Sequence, residues 1–290
     1  MFEHLIGNEG NKELLKSTIK NNKVVHSYMF VGQEGIGKSL FAQEFAKSIL
    51  CSEIQLQNHP DFKVLAPDGN TIKIEQIRNM LKTLYEKPIV SKKKIYIINE
   101  AEKMTKESQN ALLKTLEEPP EYIVIILIVS NESNILNTIK SRCNKIVFNK
   151  IENNILNEYL NKDLNFKEIT DNLLKLIDGS IAKAIEVYEQ KEIYLNIEDI
   201  ILNIDKIDII DLLKKSESIY KNKESIENIL KYINVLLLNK AKEDSCNSNK
   251  YLNCIDIVQN ARKNILRNAN YEMNIDNMLF QMFELVKSEE

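Results

Sequence analysis

The sequence predicts an α/β domain with a parallel sheet, followed by an all-helical region. In residues 1–150, short apolar runs alternate with helical patterns, as in parallel sheets that helices cover on both faces. After residue 150 only helical patterns occur, and Gly179 is the single glycine beyond residue 69. Three of the seven glycines in the chain lie together within residues 32–37, and this concentration requires a local reason.

Each predicted element rests on its own pattern. Short apolar runs predict strands at 27–31, 62–65, 95–98, 122–129 and 145–148. Apolar residues at helical spacing predict helices within 1–26 and at 40–50, 74–85 and 105–118. Thr105 suits the N-cap of the last of these, and Pro119 ends it. In the second half, helices are predicted at about 153–161, 168–177, 180–190, 208–220, 224–241, 252–268 and 274–287.

Composition excludes several classes of protein. The 290 residues are 43% hydrophobic and 28% charged, which is typical of a globular protein. The net charge of −3 gives no support to a broadly basic nucleic-acid-binding surface. The sequence shows neither a membrane span nor a signal peptide. Its four cysteines have no paired spacing, which favours reduced thiols in a cytoplasmic protein and argues against a zinc site.

The glycine cluster matches the phosphate-binding pattern G-x-x-x-x-G-K-[ST] through Gly32, Gly37, Lys38 and Ser39, with Gly35 inside it. Glycines let backbone N–H groups converge, and a helix N-terminus adds positive potential at the same point. We expect Lys38 to reach the β- and γ-phosphates of ATP and the Ser39 hydroxyl to ligate Mg²⁺. A glycine-rich turn with an incidental lysine is the alternative, which the preceding strand and following helix disfavour.

A P-loop ATPase also needs an acidic residue at the end of a neighbouring strand, to hold Mg²⁺. The apolar run 95–98 is followed by Asn99 and Glu100, so an amide stands first. A neutral amide is a poorer ligand for a hard dication, and Glu100 remains as a candidate base or metal ligand. An ordinary polar pair at the end of a strand is the alternative. We therefore predict a site that holds a nucleotide and hydrolyses it poorly.

Several stretches resemble subunits of the bacterial DNA polymerase III clamp loader, a family of the AAA+ class. The most specific are residues 110–120, NALLKTLEEPP, and the triplet Ser141-Arg142-Cys143. The segments 58–62 and 67–69 resemble the delta-prime branch of the family. Further similar stretches lie at 2–7, 26–28, 261–262, 267–271 and 276–279. The resemblance spans the chain, and an unrelated P-loop regulator does not explain residues 110–120 and the triplet.

The resemblance implies an α/β AAA+ P-loop domain at 1–149, an all-α lid at 150–193 and an all-α collar at 194–290. It implies partners as well: gamma/tau and delta subunits in a hetero-pentameric ring, which loads the sliding clamp onto primed DNA with ATP and Mg²⁺. No membrane partner is expected. In this family the arginine of the triplet enters the ATP site of the neighbouring subunit, so Arg142 is expected to act catalytically in trans. A surface salt bridge is the alternative for Arg142.

Departures from the family pattern favour the delta-prime type over the gamma/tau type. Gamma/tau subunits carry Asp-Glu where this chain has Asn99 and Glu100, and a lid arginine where it has Ala182, with Lys183 as a partial substitute. Ser130 follows the longest apolar run, in the polar sensing position. We expect weak or absent ATPase activity; a gamma/tau-like ATPase is the alternative. Of the zinc module common in the family only Cys51 is present, so no zinc is expected.

Overall fold

A computed structural model describes residues 1–51, 54–162, 164, 169–220, 223–267 and 270–287. Two units can be distinguished by their internal contacts. The first comprises Met1–Leu156 with Gly179–Ala182, and the second comprises Asn157–Asp178 with Lys183–Glu290. The domain boundaries at residues 149 and 193 stay predictions.

The first unit is built on a five-stranded sheet. Its strands are β1 (Ser27–Val31), β2 (Phe62–Leu65), β3 (Lys94–Ile98), β4 (Ile123–Val129) and β5 (Asn144–Val147). They are all parallel, in the order β2-β3-β4-β1-β5. The carboxyl ends of β1, β3 and β4 therefore meet at one edge of the sheet, and the amino end of β5 lies at the opposite edge. The predicted parallel α/β architecture is confirmed.

Strand β4 is apolar along its whole length, and β3 is apolar after Lys94, because side chains on both faces of these strands are buried. Every residue of β3 and β4 is buried, as is typical of parallel strands between two helical layers. Successive side chains alternate between two cores, since a strand has a period of two residues. Phe30, Ile97 and Ile126 belong to one core, whereas Met29 and Ile98 belong to the other.

The helices of the first unit cover this sheet. They are α1 (Glu9–Lys20), α2 (Lys38–Leu50), α3 (Ile74–Leu84), α4 (Lys106–Glu117) and α5 (Asn137–Lys140). Helix α1 is shorter than predicted because Gly7 and Asn8, just before it, have φ angles of 70° and 54°, which a right-handed helix does not allow. Helix α4 begins as predicted: the side chain of Thr105 accepts a hydrogen bond from the backbone N–H of Ser108.

The second half of the chain is helical, as predicted. Its helices are α6 (Asn153–Lys162), α7 (Asp171–Ile177), α8 (Ile181–Glu189), α9 (Lys191–Leu202), α10 (Ile209–Tyr220), α11 (Ile226–Glu243), α12 (Ser248–Leu266) and α13 (Tyr271–Lys287). Within the described ranges no strand follows β5. Helix α9 was not predicted, although its buried residues Tyr194, Ile197 and Ile201 recur at helical spacing. Predicted helical residues 168 and 268, and part of the similar stretch 267–271, lie outside the described residues.

A buried carboxylate connects three helices of the second unit. Glu198 of α9 is 8% exposed. It accepts hydrogen bonds from Tyr232 Oη of α11 at 2.6 Å, from Asn172 Nδ2 of α7 at 2.7 Å and from Thr170 Oγ1 at 3.1 Å. Burial, and then Glu198, raise the pKa of Tyr232, so its phenol stays a donor. Because these three hydrogen bonds satisfy its oxygens, the buried carboxylate of Glu198 is compatible with the helical core.

Three findings bear on the classes of protein that composition excluded. Among the helices of the described ranges, none combines the length and the apolar character that crossing a bilayer requires. The same ranges contain no cluster of three or more His, Cys, Asp or Glu side chains that suits a metal ion. The expected absence of zinc stays a prediction. All four cysteines are free thiols.

Candidate functional site

The glycine-rich loop joins the carboxyl end of β1 to the first turn of α2. Gly35 and Gly37 have φ angles of 79° and 92°, in the left-handed region that glycine enters without strain. A Cβ on Gly32 would lie 2.5 Å from the carbonyl oxygen of Phe148, and one on Gly35 would lie 2.1 Å from Oγ of Ser180. Glycine is therefore required at Gly37 by its backbone angle, at Gly32 by close packing, and at Gly35 by both. The resulting bend of the loop fits the phosphate-binding loop that the pattern predicts.

The segment after Gly179 lies directly against this loop. The backbone N–H of Ala182 donates to the carbonyl oxygen of Gly35 at 3.1 Å. The Cβ atom of Ala182 would lie 3.1 Å from a Cβ atom added to Gly35. Residue 182 is therefore next to the P-loop, as an arginine there would need to be, but its methyl side chain brings no charge. Lys183, the predicted partial substitute, belongs to the second unit.

Lys38 is buried, at 4% exposure, and its ammonium group is turned onto its own loop. Nζ donates to the carbonyl oxygens of Gly32 and Gln33 at 2.6 Å each, and to Ser130 Oγ at 3.1 Å. These three bonds use all three donors of the ammonium group. Burial lowers the pKa of Lys38, and nearby acidic charges partly oppose that shift. To bind a phosphate, Lys38 must exchange some of these bonds.

The structure brings Ser39 and Asn99 together. Ser39 Oγ lies 3.4 Å from Asn99 Oδ1, and Gln43 Nε2 donates to the same hydroxyl at 3.3 Å. Asn99 follows β3 directly, so strand and loop meet at the carboxyl edge of the sheet. The predicted neighbours of Mg²⁺ are thus adjacent, but an amide adds no negative charge to hold the ion.

Glu100 is engaged elsewhere. Its backbone is in the left-handed region, with φ at 48°, a conformation uncommon for residues other than glycine. Its side chain is 44% exposed and forms an ion pair with Lys103, three residues further on. The predicted role of Glu100 as a base or metal ligand requires this pair to open.

Glu102, which the sequence analysis did not identify, carries a carboxylate close to the lysine of the loop. It lies in the short 3₁₀ turn Ala101–Lys103 that follows β3. Oε1 accepts a hydrogen bond from the backbone N–H of Ser130 at 3.1 Å, whereas Oε2 is buried without a hydrogen-bond partner. The negative charge of Glu102 raises the pKa of Lys38, against the larger effect of burial. The sequence does carry one signal for Glu102, its position four residues after β3, because residues that follow β3 are expected at the carboxyl edge of the sheet.

Arg142 lies at the other edge of the sheet, between α5 and β5. Its carbonyl oxygen accepts a hydrogen bond from Ser27 Oγ, at the amino end of β1, at 2.7 Å. Its Nη2 is 2.7 Å from Glu117 Oε1, and Nη1 donates to the carbonyl oxygen of Thr138 at 2.8 Å. The side chain is 34% exposed. The surface ion pair considered as an alternative for Arg142 is thus present, and its role in trans stays a prediction.

This ion pair joins the two stretches that resemble the family most specifically. Glu117 is the last residue of α4 and part of residues 110–120, whereas Arg142 is the centre of the triplet. The two segments meet in space. The ends of β1, Ser27 and Val31, are four residue steps apart, about 13 Å at strand spacing. Arg142 contacts the first end and the P-loop begins after the second, so its guanidinium does not reach the P-loop of its own chain.

Asp61 has a structural role in the stretch 58–62, which resembles the delta-prime branch of the family. It is fully buried and accepts hydrogen bonds from the backbone N–H groups of Ile89, Val90 and Ser91 at 2.7, 2.8 and 2.8 Å. Burial alone would raise the pKa of Asp61, but these three donors bring it below its ordinary value. Nδ1 of His59 accepts from the backbone N–H of Asp61 at 3.1 Å. The motif holds the loop before β3.

Comparison with known proteins agrees with these motifs. Residues 7–152, just over half of the chain, match the family described as DNA polymerase III, delta subunit. The delta' subunit of Bacillus subtilis is 30% identical over 197 residues, 62% of this chain and 59% of that protein. The gamma/tau subunit of Mycoplasma genitalium is 32% identical over 209 residues, 65% of this chain and 35% of that protein. The chain thus spans between about a third and three-fifths of the length of these relatives.

A solved structure supports the fold over nearly the whole chain. A gamma subunit-related protein of DNA polymerase III from Thermotoga maritima aligns with a TM-score of 0.55 and 19% identity. The alignment covers 94% of this chain and 99% of that one. The fold therefore combines a parallel α/β domain with an all-α region. From these findings and its own motifs, the chain belongs to the DNA polymerase III clamp-loader family, in the group described as DNA polymerase III, delta subunit.

Proposed function

We propose that this chain is a delta-prime-type clamp-loader subunit, which supplies Arg142 to the ATP site of a neighbouring subunit. Its partners would be gamma/tau and delta subunits in a hetero-pentameric ring that loads the sliding clamp onto primed DNA. Residues 150–193 would form the lid, and residues 194–290 the collar through which the ring is held. The observation that carries this proposal is the position of Arg142, at the edge of the sheet opposite its own P-loop.

The surroundings of Arg142 suit transfer between chains. Its planar guanidinium is permanently charged and matches phosphate oxygens as well as it matches a carboxylate. Its present carboxylate partner, Glu117, is 49% exposed. An exposed ion pair contributes only about 0–1 kcal/mol, so a phosphate of a neighbouring chain can replace it at little cost.

The P-loop of this chain is proposed to bind a nucleotide with little hydrolysis. The loop's backbone N–H groups, Lys38 and Ser39 would hold ATP or ADP, with Ser130 at the end of the nucleotide. Bound ATP and Mg²⁺ would supply the triphosphate and its counter-ion. Asn99 adds no charge for Mg²⁺, Glu100 is paired with Lys103, and residue 182 brings no cation. Sequence identity does not separate the two types, since it is 30% to the delta' relative and 32% to the gamma/tau relative. These features of the site are what favours the delta-prime type.

A gamma/tau-like ATPase is the second candidate, and the complete P-loop pattern favours it. Glu100 would then leave Lys103 and act as the base, with Ser39 as the main protein ligand of Mg²⁺. ATP turnover by the isolated chain distinguishes the two candidates. The delta-prime proposal expects none above background, and turnover comparable to that of a gamma/tau subunit would contradict it.

Arg142→Ala in the reconstituted complex tests the proposed function. The complex is assembled from gamma/tau, delta and this chain, and clamp loading and ATP hydrolysis are measured with the sliding clamp and primed DNA. An arginine acting in trans contributes roughly 10³-fold at the site it serves. We therefore expect clamp loading to be lost and total hydrolysis to fall by the share of that site.

Lys145→Ala is the matched control for this experiment. Lys145 is 42% exposed and forms a comparable surface ion pair with Glu132, at 2.6 Å. Its removal should leave clamp loading and hydrolysis unchanged. Equal activity of the Arg142→Ala and Lys145→Ala complexes would mean that Arg142 has only a structural role.

A further inference from the structure

Glu102 is connected to the lysine of the P-loop through a single residue. The backbone N–H of Ser130 donates to Glu102 Oε1 at 3.1 Å, and the hydroxyl of Ser130 accepts from Lys38 Nζ at 3.1 Å. The second oxygen of the carboxylate, Oε2, is buried and has no hydrogen-bond partner. An acceptor buried without a donor is unfavourable in a folded protein, so this carboxylate calls for an explanation.

The position of this carboxylate is close to where a third phosphate would lie. In the P-loop pattern the lysine reaches the β- and γ-phosphates, and Ser130 lies beside the lysine at the end of β4. The donors that a γ-phosphate would use there are the Lys38 ammonium and the N–H and hydroxyl of Ser130. Glu102 already binds the N–H of Ser130 and attracts Lys38 electrostatically. A γ-phosphate would meet the negative charge of Glu102, whereas a β-phosphate would lie further from it.

We propose that Glu102 determines nucleotide specificity, by making the P-loop prefer a nucleoside diphosphate to a triphosphate. The inference rests on the proposed nucleotide binding by this loop and adds which nucleotide is held. Asn99 acts in the same direction, because without a carboxylate beside Ser39 the Mg²⁺ that accompanies a triphosphate is held less well. A resident diphosphate would explain how the chain retains a P-loop while contributing to hydrolysis only in another chain's site.

Equilibrium binding of Mg²⁺-ADP and Mg²⁺-ATP to the full-length chain tests this inference. The wild-type protein should bind ADP more tightly than ATP. Glu102→Gln keeps the shape of the side chain and its hydrogen bond with Ser130, but removes the charge. It should raise the affinity for ATP roughly tenfold, since the repulsion acts at short range in a buried site. The affinity for ADP should change much less.

Glu121→Gln is the matched control, because Glu121 is an exposed acidic residue just before the amino end of β4, whereas Ser130 follows the carboxyl end of that strand. It removes the same charge where solvent screens it, and should leave the ratio of the two affinities unchanged. Glu102→Ala, a second removal of the charge, should shift the ratio in the same direction as Glu102→Gln.

Three results would overturn the inference. One is a wild-type protein that binds ATP as tightly as ADP, or more tightly, which requires no variant. Another is an affinity ratio that Glu102→Gln and Glu102→Ala leave unchanged. The third is the absence of binding of either nucleotide to wild-type and variant proteins. None of these touches the role of Arg142, which is measured by clamp loading in the complex.

Discussion

Lys38 of the P-loop and Arg142 of the Ser-Arg-Cys triplet are both cations in sequence motifs, and their surroundings differ. Lys38 is 4% exposed, and oxygens of its own chain satisfy all three of its donors. The Arg142 side chain is 34% exposed, with one exposed carboxylate as its ionic partner. Lys38 must exchange part-buried hydrogen bonds with its own chain to act, whereas Arg142 must exchange an exposed ion pair with Glu117 and one hydrogen bond to the carbonyl oxygen of Thr138. This difference fits the proposed function, in which Arg142 acts on a phosphate held by another subunit.

Lys38→Met should produce the largest effect on the P-loop side of this comparison. Without the ammonium group, binding of Mg²⁺-ADP to the isolated chain should weaken by about 100-fold, the equivalent of one charge-assisted hydrogen bond. The melting temperature should change little, because the lost hydrogen bonds are offset by the removal of a buried charge. Calorimetric titration and a thermal melt measure both quantities. Unchanged binding would mean that the loop does not hold phosphate through Lys38.

Asp61→Asn extends the comparison to a buried anion, which should matter more to stability than an exposed one. An amide has only one oxygen for the three backbone donors of the loop before β3. The free energy of unfolding should fall by about 2–3 kcal/mol at neutral pH. Urea denaturation of the variant and the wild-type protein gives this difference.

The same substitution has a defined pH dependence. The pKa of Asp61 in the folded chain is below the ordinary value of 3.8. Its contribution to stability is therefore complete above that value, and is lost as the pH falls through the lower pKa of the folded state. The stability difference between wild type and Asp61→Asn should be constant from pH 7 to about pH 4 and shrink below it. A difference that shrinks already between pH 7 and pH 5 would contradict the account.

Glu117→Gln should have the smallest effect and is the most specific probe of how Arg142 is held. Because the ion pair is exposed, the free energy of unfolding should change by less than about 1 kcal/mol. In the assembled complex the arginine should remain active, with clamp loading unchanged or modestly faster because its competing carboxylate has gone. Loss of loading comparable to that of Arg142→Ala would instead show that Glu117 positions the arginine for its task.

Much of the α/β fold could be predicted because its signals are local. Apolar runs located the strands to within one residue: 95–98 was predicted where β3 is Lys94–Ile98, and 122–129 where β4 is Ile123–Val129. The phosphate-binding pattern likewise requires only a strand, a loop and a helix in sequence order. Helix α9 was missed even though its apolar spacing is regular, because only Gln190 separates it from α8 and no glycine or proline marks the junction.

The features that distinguish the two cations could not be predicted, because they depend on contacts between distant segments. Arg142 and Glu117 are brought together by the packing of α4 and α5 beside the sheet. The hydrogen bonds of Lys38 with its own loop depend on backbone angles that the pattern allows but does not determine. The contact of Glu102 with Ser130 could not be predicted, because it depends on the pairing of β3 with β4, which places the carboxylate beside the backbone N–H of Ser130.

The most direct measurement of the central claim compares Lys38→Met and Arg142→Ala of this chain in the same reconstituted complex. DNA-stimulated ATP hydrolysis and clamp loading are measured for each. If the chain contributes its arginine and not its own hydrolysis, the Lys38→Met complex should remain close to wild type, and the Arg142→Ala complex should lose loading. Loss of activity with Lys38→Met and retention with Arg142→Ala would contradict the account.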